Sequence, residues 1–159
     1  MNPLGIRQGG FALSDSDLNF FENYRHPDQF GQLLGYKVDR FDRESRQAEV
    51  ILTIRDEHLS SSRKVHGGVI SALLDFACGA AVCTTLASKD LCSTVELKVN
   101  YFYPVSKGAE LRAKAEVVFR GKKLCATTVA LFAAGVEEPV AMASATYNVV
   151  TATVDGGPS

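Results

Sequence analysis

The segment from Val69 to Ala87 constrains this chain more than any other. It is apolar nearly throughout and carries one charge, Asp75, in its interior. Its length approaches that of a membrane span. A central carboxylate, with Gly, Ser and Thr along the run, makes poor lipid material. A helix that is apolar on most sides can instead be the buried centre of a soluble fold, with other elements wrapped around it. On a wheel of about 100° per residue, Val69, Ile70, Leu73, Leu74, Phe76, Ala77, Ala80 and Ala81 cover a broad apolar arc. The opposite strip holds Gly68, Ser71, Asp75, Cys78, Gly79 and Val82. Small residues there let another backbone or a ligand approach closely.

The flanking sequence supplies the wrapping. Tyr36–Phe41 and Gln47–Ile54 read as strands, separated by a polar turn at Asp42–Arg46. A short helical turn over Asp28–Leu34 precedes them and ends at Gly35. Residues 55–65 are irregular and contain three consecutive serines. The helix opens at Gly67–Gly68, and four strand-like stretches follow it. In Ser93–Tyr103, the residues Val95, Leu97, Val99 and Tyr101 share a face. In Glu110–Phe119, the inward set is Leu111, Ala113, Ala115, Val117 and Phe119. Lys123–Ala133 and Val140–Thr151 complete the series, with turns at Gly121 and at Gly135–Pro139. Short connections imply antiparallel neighbours. Two strands, a long helix and four strands form an α+β layout, in which an antiparallel sheet curls around the helix.

With 159 residues the chain suits one domain, large enough for an apolar core without disulfides. Residues 1–29 read as an N-terminal extension, with a short helix capped by Ser14 or Ser16 and running through Leu18, Phe20, Phe21 and Tyr24. Residues 30–152 form the domain, and 153–159 a disordered tail. No continuous apolar run marks a leader in residues 1–20, so a cytoplasmic location is expected. The net charge of −1 carries no basic excess of the kind nucleic-acid binders show. Cys78, Cys83, Cys92 and Cys125 form no C-x-x-C pair and have three histidines to join them, so no metal site is expected.

Asp75 has two readings. It is a solvated or salt-bridged charge, or it is a general base, since no basic residue lies between Val65 and Ser88 except His66. His66-Gly67-Gly68 also has two. It is a turn that His66 caps, or its glycines offer free N–H groups at a helix N-terminus, where negative charge is favoured.

The run His66-Gly67-Gly68-Val69-Ile70-Ser71-Ala72-Leu73-Leu74-Asp75 resembles the signature of the hotdog-fold acyl-CoA thioesterases, most closely the phenylacetate-degradation type within the 4-hydroxybenzoyl-CoA thioesterase-like superfamily. The resemblance spans about Phe30 to Val150, with supporting matches at Leu34-Gly35, Thr94–Pro104 and Arg120-Gly121-Lys122. It implies a hotdog fold, a six-stranded antiparallel sheet around the central helix. It also implies a homodimer with sheets joined edge to edge, as a dimer of dimers in many relatives, and active sites at the dimer interface. Asp75 matches the carboxylate that activates water or attacks directly. Gly68, with Gly67 as the second candidate, matches the donor to the thioester carbonyl, and His66 shapes the same turn. Thr94 matches a hydroxyl that orients water, with Ser93 as the alternative register. Where relatives commonly carry Asn six residues before the histidine, this chain has Ser60.

Thioester hydrolysis asks little of a protein. The leaving thiol has a pKa of only about 8.5, so one carboxylate and one oxyanion donor suffice, with no cofactor beyond the CoA of the substrate. There is no G-x-S-x-G, H-E-x-x-H or phosphate-loop motif. The hairpin Arg120-Gly121-Lys122-Lys123 and the pair Arg63-Lys64 are candidates for the CoA phosphates, or ordinary charged turns. Two rival functions are a non-catalytic acyl-CoA-binding protein and a hotdog hydratase or dehydratase. The latter pairs an Asp with a His further along the helix, and no His follows His66.

Overall fold

The structure, a computed structural model, describes residues 28–87 and 90–151. The expected helix through Leu18–Tyr24 and the tail from residue 153 lie outside the described residues. The elements are α1 (Gln29–Leu34), β1 (Lys37–Asp42), β2 (Gln47–Thr53), a 3-10 turn (Asp56–His58), α2 (Gly67–Cys83), β3 (Asp90–Tyr101), β4 (Glu110–Arg120), β5 (Leu124–Ala133) and β6 (Ala141–Thr151). The strands form one sheet in the order β1-β2-β4-β5-β6-β3, and every neighbouring pair is antiparallel. β1 and β3 are the edges. This is the hotdog arrangement, with α2 packed against all six strands.

The inner face of the sheet explains how the helix fits so closely. Ala48, Ala113, Ala115, Ala141, Ala143 and Ala145 are all buried there, and small side chains let the helix sit near the strands. Leu73 and Leu74 on α2 meet Val50, Leu52, Leu111 and Leu131 in one core. Truncating a fully buried leucine such as Leu73 to Ala would cost about 2–5 kcal/mol.

Three expectations need correction. The helix stops at Cys83, short of Ala87, because Thr84 and Thr85 turn their hydroxyls back onto the carbonyls of Ala81 and Val82. Cys78 and Val82 do not belong to an open strip; both are fully buried. Phe119 is not inward: a bulge between Val117 and Phe119 flips the end of β4 and leaves Phe119 59% exposed. No helix among the described residues is long and apolar enough to cross a membrane.

Both ends of α2 are fixed from outside. At its start, the His66 N–H donates to the carbonyl of His58 at 2.8 Å. His58 is only 1% exposed, and its Nδ1 accepts the Arg55 N–H at 3.1 Å. At its end, Arg43 donates to the Thr84 and Leu86 carbonyls, each at 3.2 Å. Arg120 Nε donates to Thr85 Oγ1 at 3.1 Å. Cations suit a helix C-terminus, where unpaired carbonyls concentrate negative charge.

Candidate active site

Asp75 lies midway along α2, half-buried, on the side turned toward β3 and β6. Thr94 on β3 and Tyr147 on β6 are direct cross-strand partners, so their side chains share a face. Both hydroxyls reach Asp75. Thr94 Oγ1 donates to the carboxylate, 3.0 Å from Oδ1 and 3.3 Å from Oδ2. The Tyr147 hydroxyl lies 2.6 Å from Oδ1 and 2.6 Å from the backbone carbonyl oxygen of Asp75.

A bulge makes this geometry possible. In an uninterrupted strand, Thr94 would share a face with Glu96 and Lys98 and turn away from Leu97 and Val99. The ladder instead shifts between Thr94 and Glu96, with Val95 as the extra residue. Thr94 thereby joins Leu97 and Val99 on the helix side, and Val95, expected to share a face with Leu97 and Val99, is 61% exposed. Ser93, the alternative to Thr94, pairs with Asn148 and is exposed.

An open cleft of about 270 Å³ lies beside the carboxylate, lined by Phe30, Tyr36, Ser71, Ala72, Asp75, Phe76 and Leu97. Its wall is built from α1 and the segment after it. Asp28 caps α1 by accepting the Gly31 N–H at 2.9 Å, and its other oxygen accepts the Tyr36 hydroxyl at 3.1 Å. Gly31 is required here, since a Cβ on it would stand 2.3 Å from the Asp28 carboxylate and 2.6 Å from the Tyr36 ring. So held, Tyr36 packs its ring on Phe76 with centroids 4.1 Å apart. The open side of α2 is therefore Ser71, Ala72, Asp75 and Phe76.

Burial first, then the nearby Cys78 and Asp75, raises the Tyr147 hydroxyl well above its ordinary pKa, so it stays a proton donor. Burial likewise pushes the Cys78 thiol up to about 12, which leaves it inert. Among the described residues no cluster of His, Cys, Asp and Glu could hold a metal.

The His66-Gly67-Gly68 turn shows the capping reading directly. His66 caps the helix, its Nδ1 accepting the Gly68 N–H at 2.9 Å. Gly68, the first candidate for the oxyanion donor, is thus already engaged. Gly67 is the first residue of α2, and its N–H makes no hydrogen bond among the described residues. The Gly67 carbonyl accepts the Tyr101 hydroxyl at 3.3 Å, and that hydroxyl also pairs with Ser71.

Ser60 closes the loop before the helix. Its N–H and hydroxyl both donate to the Lys64 carbonyl, at 2.8 and 3.0 Å, and its hydroxyl pairs with that of Ser62 at 2.8 Å. Within this loop Arg63 is exposed at a φ of 61°, and Lys64 Nζ donates to Ser106 at 2.9 Å. At the β4–β5 hairpin, the Gly121 N–H donates to the Leu124 carbonyl at 2.8 Å. Arg120 is directed to the end of α2 instead of to solvent, because the same bulge that exposes Phe119 turns Arg120 inward. Lys122 and Lys123 are exposed. None of these basic residues lines the Asp75 cleft.

Tyr147 and the aromatic wall were not singled out by the sequence. A usable signal existed for Tyr147. It continues the inward series Ala141, Ala143, Ala145, and a buried tyrosine needs a partner for its hydroxyl. Tyr36, Phe76 and Phe30 come together at the cleft only once the segment after α1 lays the Tyr36 ring on Phe76.

Residues 64–140 match a family model described as the thioesterase superfamily. Over 76 residues the chain is 34% identical to an esterase-like protein of Caenorhabditis elegans. That stretch is 48% of this chain and 44% of the relative, so the match spans less than half of the relative's length. A phenylacetic acid degradation-related protein of Ralstonia eutropha has a similar structure, with a TM-score of 0.73 and 27% identity over 82% of this chain and 96% of that one. A variant of the phenylacetic acid degradation protein PaaI of Thermus thermophilus gives a TM-score of 0.68 and 27% identity, over 76% of this chain and 98% of that one.

Proposed function

We propose that this chain is a member of the thioesterase superfamily and hydrolyses the thioester bond of an acyl- or aryl-CoA by attack of a water that Asp75 activates. The observation that carries the reading is the placement of the Asp75 carboxylate. It sits on the wall of an apolar cleft, held by two neutral hydroxyl donors and without an ion pair among the described residues. A merely structural carboxylate would be expected to meet a Lys or Arg.

In the proposed reaction, Asp75 takes a proton from water as the water oxygen bonds to the thioester carbon. Charge moves to the carbonyl oxygen, where a helix N-terminal N–H meets it. Collapse breaks the C–S bond, and the CoA sulfur leaves with the electron pair and takes up the proton that Asp75 had received. Gly67 supplies the N–H in this scheme. It cannot serve the Asp75 of its own helix, since eight residues of α-helix separate them by about 12 Å. The donor therefore comes from a second copy. β3 is a 12-residue edge strand with its outer side unpaired among the described residues, and it offers the edge for a homodimer, which can double to a dimer of dimers. Lys122, Lys123 and Arg63 are exposed, and they are the proposed contacts for the CoA phosphates.

The test is Asp75→Asn, which keeps size and polarity and removes the base. A folded protein with kcat lowered at least about a hundredfold is expected. Wild-type turnover of a panel of acyl-CoAs by this variant would make the carboxylate structural. Tight acyl-CoA binding without release of free thiol by the wild type would make the protein a binder.

A further inference from the structure

We infer that Tyr147 is a positioning residue for Asp75, whose hydroxyl hydrogen bond follows the charge of the carboxylate through the reaction. The inference rests on the thioesterase reading above and adds a residue to it. Tyr147 is 3% exposed, so its single proton must find a protein acceptor. Two acceptors stand at the same distance, 2.6 Å: Oδ1 of Asp75 and the backbone carbonyl oxygen of the same residue. While Asp75 is ionised, the carboxylate is the stronger acceptor, and an O–H···O⁻ bond at this length is charge-assisted. Once Asp75 has taken a proton from water, Oδ1 weakens as an acceptor. The Tyr147 proton can then turn to the carbonyl oxygen without becoming a buried, unsatisfied donor. No heavy atom has to move.

The same bond assigns the two carboxylate oxygens. Oδ1 accepts from Tyr147 at 2.6 Å and from Thr94 at 3.0 Å, whereas Oδ2 has only the longer Thr94 contact at 3.3 Å. Oδ2 is therefore the oxygen left to receive the proton of the attacking water. The ring reaches this position because it lies over Gly79, one turn beyond Asp75, with ring carbon 3.7 Å from where a Cβ would stand.

Tyr147 does not touch the cleft, so its role can be separated from substrate binding. The titratable groups set against Asp75 are Tyr36 from the segment before β1, Cys78 on α2 and Tyr147 on β6. β3 contributes the non-titrating Thr94. Burial raises all three groups, so they remain neutral through the acid range.

The test is Tyr147→Phe, which keeps the ring. Expected are an unchanged KM, a kcat lowered roughly ten- to a hundredfold, and an acid limb of kcat/KM moved to higher pH. Loss of a donor to the ionised form favours the protonated carboxyl, which fixes that direction. Wild-type kcat and an unmoved profile would overturn the inference, and if Asp75→Asn is inactive the thioesterase reading would stand without it. Should Tyr147→Phe not fold, proton NMR of the wild-type protein decides. The protected Tyr147 hydroxyl resonance should move as pH crosses the acid limb, and a resonance that stays fixed would overturn the inference.

Discussion

The N–H of Gly68 donates to Nδ1 of His66 at 2.9 Å, closing the first turn of α2 with a side-chain cap. A capped donor is not available to a substrate, so in the proposed reaction the oxyanion role falls to the preceding residue. Gly67 opens the helix as its first residue, a position where proline is tolerated because the missing N–H has no helical partner. His66 before it is extended, with φ −65° and ψ 135°, which also suits a following proline.

Gly67→Pro should therefore fold as the wild type and lose the donor. The expected kcat is about a hundredfold lower or less, the scale of a lost oxyanion contact. Mixing Gly67→Pro with Asp75→Asn under conditions of subunit exchange should restore part of the activity, since a mixed dimer holds one intact site. An unimpaired Gly67→Pro enzyme would rule out this N–H as the donor.

Thr94 and Ser93 are adjacent, and only Thr94 bonds to Asp75. Thr94→Val should lower kcat about tenfold or more, while Thr94→Ser should retain most of it and Ser93→Ala should be near wild type. Steady-state kinetics of the three variants is sufficient. A larger loss in Ser93→Ala than in Thr94→Val would show that β3 shifts register in solution.

Lys122 and Lys123 are exposed at the β4–β5 hairpin, whereas Arg120 is committed to the end of α2. Replacing both lysines with Ala should raise KM for acyl-CoA several-fold and leave an acyl-pantetheine substrate nearly unaffected. Arg120→Ala should instead lower the melting temperature. Equal effects of the lysine change on both substrates would place the phosphates elsewhere.

His58 makes stability depend on pH. Its pKa lies below the ordinary 6.5 because burial disfavours the imidazolium and the Arg55 guanidinium repels it; a hydrogen bond with the Leu34 backbone acts in the opposite direction. The unfolded chain therefore binds the proton more readily. Stability from neutral His58 is complete above about pH 6.5 and is lost as pH falls through the folded value. Melting temperature should fall between about pH 7 and 5, with a shallower fall in His58→Gln, although that variant starts lower. Identical slopes would assign the dependence to other groups.

Much of the fold was legible because its signals are local. The apolar run after Val69 with one interior carboxylate, the alternation through Gln47–Thr53 and Leu111–Ala115, and Gly35 ending α1 at a φ of 81° are each decided within a few residues. Asp75 stood out for the same reason, as a lone charge in apolar surroundings. The sequence by itself thus determined the order of elements, the inner faces of the regular strands and the residue on which the proposed chemistry turns. The tertiary structure decided what surrounds that residue. Whether Thr94 or Ser93 faces the helix depends on one extra residue in the β3 ladder, and a bulge is set by pairing with β6, not by the alternation of β3 alone. The same holds for Phe119 and Arg120, which exchange faces at the bulge in β4. Tyr147 meets Asp75 across 72 positions of sequence, and Gly68 loses its N–H to a side-chain rotamer of His66. Side-chain period fixes a face only while a strand stays regular, and hydrogen-bond partners are chosen by burial, which exists only once the chain has closed on itself.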